Sequence, residues 1–166
     1  MPLDRSALRN LAAILRGDLE AIERLSALLE RFGGALDLST RDSDHVWAAA
    51  MALHHLYNAL EHSFERIART CDEWVADQAR WHRDLLSRMF LDLPGVRPAV
   101  LSSALRGTLE ELLAFRHFVR HAYDAALEPR QIALVISFWR DRHADLKQQM
   151  ETFIGFLERA IQLGEP

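Results

Sequence analysis

Between Leu112 and Leu127 the chain reads LLAFRHFVRHAYDAAL, and five residues there could do chemistry: Arg116, His117, Arg120, His121 and Tyr123. Guanidinium groups are forks that bind the non-bridging oxygens of a phosphodiester, and imidazole titrates near neutrality. Together they form an inventory suited to cleaving RNA without a metal. If the stretch is helical, residues three, four and seven apart share a face. Arg116, Arg120 and Tyr123 then make one stripe, and His117 with His121 makes the next. At about 100° per residue, Arg116 and His121 stand roughly 140° apart, so one straight helix does not aim both at one atom. Either the helix ends near His121 or a second copy supplies the missing wall. The plainer reading is a solvated helix end whose cations complement the macrodipole.

The elements that must carry these residues are helices. At 166 residues the chain is read as a single domain, 1–166, long enough to bury a core. Gly and Pro are few, 7 and 5, and the long apolar periodicities are helical, which predicts an all-α antiparallel bundle of four long helices and one short one. A net charge of −4 argues against a protein that coats nucleic acid by bulk electrostatics, so any such contact rests on a local basic patch. The basic residues are 19 Arg and one Lys, Lys147, scattered over every segment, and that ratio is read as codon bias rather than an RNA habit. The one cysteine, Cys71, excludes an internal disulfide and fits a reducing compartment. It is read as a buried or half-buried thiol. No run of eighteen apolar residues occurs, so a cytoplasmic protein with no membrane contact is expected.

Asp4 can cap a first helix, with Leu3 and Leu8 at the staple positions, and Gly33-Gly34 is expected to stop it. Ser43 or Asp44 can open a second helix running to about Thr70, with Val46, Ala50, Leu53, Tyr57, Leu60, Phe64 and Ile67 on its apolar side. The same helix carries His54, Asn58 and His62 at i, i+4 and i+8, a row that could hold a metal. No carboxylates are arranged to complete such a site, so no metal and no cofactor is expected. Asp72 to Asp77 reads as a connector and Ala79 to Phe90 as a short helix. Trp81 is assigned to the core, while His82 fits either packing or the groove of the site. LDLPGVRPAV breaks the chain, and a fourth helix is expected from about Pro98 to near Asp124. Pro129 suits the first turn of the last helix.

The spacing Arg116, four residues, His121, one residue, Tyr123 resembles the motif of the HepT-like ribonuclease toxins within the HEPN superfamily of helical proteins. HHLYNALEHSFERIA from His54 resembles the family's second-helix segment, with its Tyr-Asn and Glu-x-x-Phe pattern. WHRDLLSRM from Trp81 is similar to a Trp-His-x-x-Leu-Leu block of one branch. The resemblance spans roughly residues 45–160. It implies a homodimer whose motif helices line a shared cleft. Arg116 and His121 would be the catalytic pair and His117 and Arg120 would add phosphate contacts. The products would be a 2′,3′-cyclic phosphate and a 5′-hydroxyl. It also implies a toxin silenced when a separate nucleotidyltransferase antitoxin transfers AMP to Tyr123. The adduct would block RNA entry by bulk and by like charge. The implied partners are RNA, the antitoxin and a second copy of the chain, with no DNA. Two alternatives remain: a non-catalytic HEPN-type partner of a nucleotidyltransferase, and a metal-binding bundle built on the second-helix histidines.

Overall fold

The computed structural model describes residues 4–39, 43–72, 81–121 and 126–163. Within them lie five α-helices: α1 Arg5–Ala35, α2 Asp44–Asp72, α3 Trp81–Met89, α4 Arg106–His121 and α5 Pro129–Leu163. The all-α bundle expected from the periodicities is therefore observed. Local chemistry sets several of the boundaries. The Asp4 carboxylate accepts the Ser6 amide and opens α1. The Ser43 hydroxyl accepts the Val46 amide and opens α2. Pro129 takes the first position of α5, where its missing N–H costs nothing.

The central element is α2, which packs on each of the other four helices. Val46, Leu53, Leu56, Tyr57, Leu60, Phe64 and Ile67 are buried along it, so the apolar side read from the sequence is the core face. On one flank α1 and α5 run antiparallel, with Glu30 meeting Arg140 and Glu23 meeting Lys147. Deeper in that seam the Trp139 indole N–H donates to the Ser26 hydroxyl at 2.9 Å. On the other flank lie α3 and α4, and they carry the site. No helix among the described residues is long and apolar enough to cross a membrane.

Two expected boundaries are corrected. Gly33-Gly34 does not end α1, which continues to Ala35, with the Leu36 amide bonded to the Phe32 carbonyl. Gly33 sits against Ile136 and Arg140 of α5, and this tertiary contact outweighs the helix penalty of glycine. The fourth helix does not begin near Pro98. A 3-10 turn at Ser103–Leu105 comes first and α4 starts at Arg106. The intervening chain is instead a clamped turn. Leu93 and Arg97 bridge across Gly95, which adopts φ +77°, and the Val100 and Leu101 amides both donate to the Met89 carbonyl. Fully buried Arg97 donates through Nε and Nη2 to Asp72 at 2.7 and 2.8 Å, and to the carbonyls of Arg88, Leu91 and Pro98. Arg88 binds the same carboxylate. Cys71 beside it is buried, and burial first and Asp72 second push its thiol up to about 11, so it is inert as a nucleophile at neutral pH. Leu3, the connector at 73–77, the start of the short helix at Ala79 and the end of the fourth near Asp124 lie outside the described residues.

Candidate active site

α4 buries Leu109, Leu112, Leu113 and Phe115 against the core, and the same helical face carries Arg116 inward. A guanidinium there must find acceptors, because an unpaired buried charge is expensive. Arg116 is 8 % exposed, and its Nε donates to Asn58 Oδ1 at 2.6 Å while Nη2 pairs with Glu61 Oε2 at 3.1 Å. Glu61, 3 % exposed, has its other oxygen 2.5 Å from His82 Nδ1. An ion-paired carboxylate accepts, so this Nδ1 donates. The His82 ring lies against Trp81 with centroids 3.8 Å apart. One buried carboxylate thus ties three helices: α2 supplies it, α3 reaches it through His82 and α4 through Arg116.

Two further side chains of α2 border this pair. His54 stands one turn before Asn58, and its Nδ1 is buried without a hydrogen-bond partner among the described residues. Burial, with help from the Arg116 charge and then from His55 and Arg120, holds its pKa below the ordinary imidazole value. Tyr57 is buried, and burial, then the Glu61 carboxylate, raise its hydroxyl far above the usual phenol range, so it stays neutral.

The outer end of α4 differs in character. His117, Arg120 and His121 are exposed. His121 Nδ1 lies 2.8 Å from the His117 carbonyl, and the two rings lie tilted against each other with centroids 4.5 Å apart. A carbonyl oxygen only accepts, so Nδ1 carries the hydrogen and Nε2 is left as the nitrogen that can exchange a proton. Arg116 therefore faces α2 while His121 stands on the solvent side of the same helix. The divergence expected from helical spacing holds within one chain. Arg120 does not follow Arg116 into the interior, and Tyr123 lies outside the described residues.

From sequence, Asn58 and Glu61 are not assigned to this site, and His82 stands between packing and the groove. A signal was present: Glu61 follows Leu60 and precedes Phe64 on the apolar side of α2, and a carboxylate set among core residues demands a partner. The row His54, Asn58, His62 does not act as a unit. Asn58 is committed to Arg116, His62 is exposed, and His54 feels two guanidiniums whose charge would oppose a cation. No group of three or more His, Cys, Asp or Glu among the described residues is arranged to hold a metal ion.

No curated protein and no solved structure matches the chain. A family model described as HepT-like protein matches residues 48–157, about two thirds of the sequence, from the first turns of α2 into α5 and across every residue of the Arg116 cluster. With a helical bundle and the Arg116, His121 and Tyr123 spacing in place, the chain belongs to the HepT-like family of the HEPN superfamily.

Proposed function

We propose that this protein is the toxin of a toxin–antitoxin pair, a metal-independent ribonuclease whose site is completed by a second copy of the chain. The observation that carries the reading is His121: an exposed imidazole whose Nδ1–H is fixed on the His117 carbonyl, leaving Nε2 for proton transfer. In the reaction the ribose 2′-oxygen loses its proton to an imidazole and bonds to phosphorus. The bond from phosphorus to the 5′-oxygen breaks, and that oxygen takes up a proton. His121 serves as acid or base in these transfers, and Arg116 neutralises the charge gathering on the phosphorane. His117 and Arg120 bind flanking phosphates. The opposed placement of Arg116 and His121 supports a two-chain cleft, in which one copy's guanidinium meets the other's imidazole. Silencing by AMP transfer to Tyr123, two residues past His121, would put a phosphate and an adenosine at the same mouth.

Purified protein should cut RNA in the presence of a chelator and leave 2′,3′-cyclic phosphate ends, with His121→Ala and Arg116→Ala lowering the rate by about 100-fold or more. Equal cleavage by both variants would refute the assignment. A second reading, a non-catalytic partner of a nucleotidyltransferase, draws on one observation: Glu61 already neutralises Arg116. A stable complex with that enzyme, with neither RNA cleavage nor growth arrest on expression, would favour it.

A further inference from the structure

We propose that Glu61 and His82 are positioning residues for Arg116, and that they leave it only one edge with which to meet a phosphoryl oxygen. The proposal deepens the ribonuclease reading and rests on it for its catalytic consequence. Guanidinium has five N–H groups, and it usually grips an oxyanion either along the side made by Nε and one Nη or end-on through the two Nη atoms. Here the side is occupied: Asn58 Oδ1 accepts from Nε at 2.6 Å, and the Glu61 carboxylate stands 3.1 Å from Nη2 as its ion-pair partner. Nη1 has no hydrogen-bond partner among the described residues, and together with Nη2 it makes the end-on fork.

The carboxylate holding that geometry does not orient itself. Glu61 could rotate its carboxyl group, but His82 Nδ1 pins the far oxygen, and the His82 ring is in turn steadied against Trp81. The relay therefore runs from α3 through a residue of α2 to the guanidinium on α4, and His82 need not touch RNA. The Trp81 indole steadies the ring plane, and His82 spends its donor on the carboxylate that pairs with Arg116.

The test separates positioning from mere stability. With an RNA oligonucleotide as substrate, His82→Ala should lower kcat about tenfold or more while KM changes less than about twofold, because misplacing a group that acts in the transition state costs rate rather than ground-state binding. His82→Asn, whose amide nitrogen can stand where Nδ1 stands, should recover most of that loss. An unchanged kcat in His82→Ala, with only the melting temperature lowered, overturns the proposal. A readout independent of cleavage comes from nitrogen-15 NMR of the arginine side chains. The Nη protons of Arg116 should be resolved in the parent because Glu61 halts rotation of the group, and they should merge in His82→Ala. Resolved protons in that variant overturn the proposal even if the parent proves to cut no RNA, an outcome that would sink the ribonuclease reading alone. Adding an oligonucleotide with a 2′-deoxy sugar at the cleavage position should shift the Nη1 protons and leave the Nε proton in place. An equal shift at Nε overturns the end-on geometry.

Discussion

Replacing Arg116 by alanine should make the protein unfold more easily, whatever it does to the proposed activity, and the size of the effect follows from what is left behind. The substitution removes one short hydrogen bond and one ion pair and strands Glu61, a carboxylate 3 % exposed, with His82 as its remaining partner. Breaking a buried ion pair from one side costs about 3–5 kcal/mol. His82 can still donate to the abandoned carboxylate, and water can enter where the guanidinium stood, so about 2–4 kcal/mol is a fair range. At about 2–4 °C per kcal/mol for a chain of this size, the melting temperature should drop by roughly 5–15 °C. Urea denaturation followed by circular dichroism measures the loss directly. The same experiment on Glu61→Gln supplies the control. In a background without the buried charge, Arg116→Ala should cost at least about 1 kcal/mol less than it does in the parent. A cost below about 1 kcal/mol in the parent, or no difference between the two backgrounds, would show that the pair carries no structural weight. Cleavage assays on Arg116→Ala should accordingly be normalised to folded protein.

Other outcomes are equally definite. His54 has a folded pKa below 6.5 while the unfolded chain titrates at 6.5, so the unfolded state binds more protons as the solution is acidified. Its contribution is complete above pH 6.5 and is lost as the pH falls toward the folded value. The parent should therefore lose more stability than His54→Gln between about pH 6.5 and 5, and parallel curves would contradict the burial argument. A methyl group added at Gly17 or at Gly95 meets no atom within 4 Å, but only Gly95 has a positive φ. Gly17→Ala should raise unfolding free energy by about 0.5–1 kcal/mol and Gly95→Ala should lower it by about 1–2 kcal/mol, and a shared sign would be inconsistent with backbone conformation as the cause. Incubation with the proposed nucleotidyltransferase antitoxin and ATP should add the mass of one AMP to the parent and none to Tyr123→Phe. A gain that survives the substitution would place the acceptor elsewhere.

Features written locally in the chain were legible before any coordinates. The caps at Asp4 and Ser43, Pro129 at the first position of α5, and the buried stripe from Val46 to Ile67 each depend on neighbours within a few turns. Local rules misled where a distant partner decides the outcome. Gly33-Gly34 looked like a stop, yet α5 packs there and the helix continues. Pro98 looked like a helix start, yet Arg97 beside it is drawn inward to Asp72, 25 residues earlier, and holds the segment as a turn. The site divides along the same line. The ring contact between His117 and His121 is an i, i+4 relation and could be read directly. The grip of Asn58 and Glu61 on Arg116 joins residues on separate helices, and nothing in either helix alone specifies the register between them.

The turn fastened by Arg97 joins α3 to the 3-10 segment before α4, and it is bolted to Asp72 on α2. A slack tether would let the helix bearing His82 and the helix bearing Arg116 slide past one another. This one holds them to a common frame, so the spacing at Glu61 is set partly at the far end of α3. If expression of the parent arrests growth as proposed, random mutagenesis that selects for relief should find hits at Asp72 and Arg97, which hold the turn, alongside Arg116 and His121.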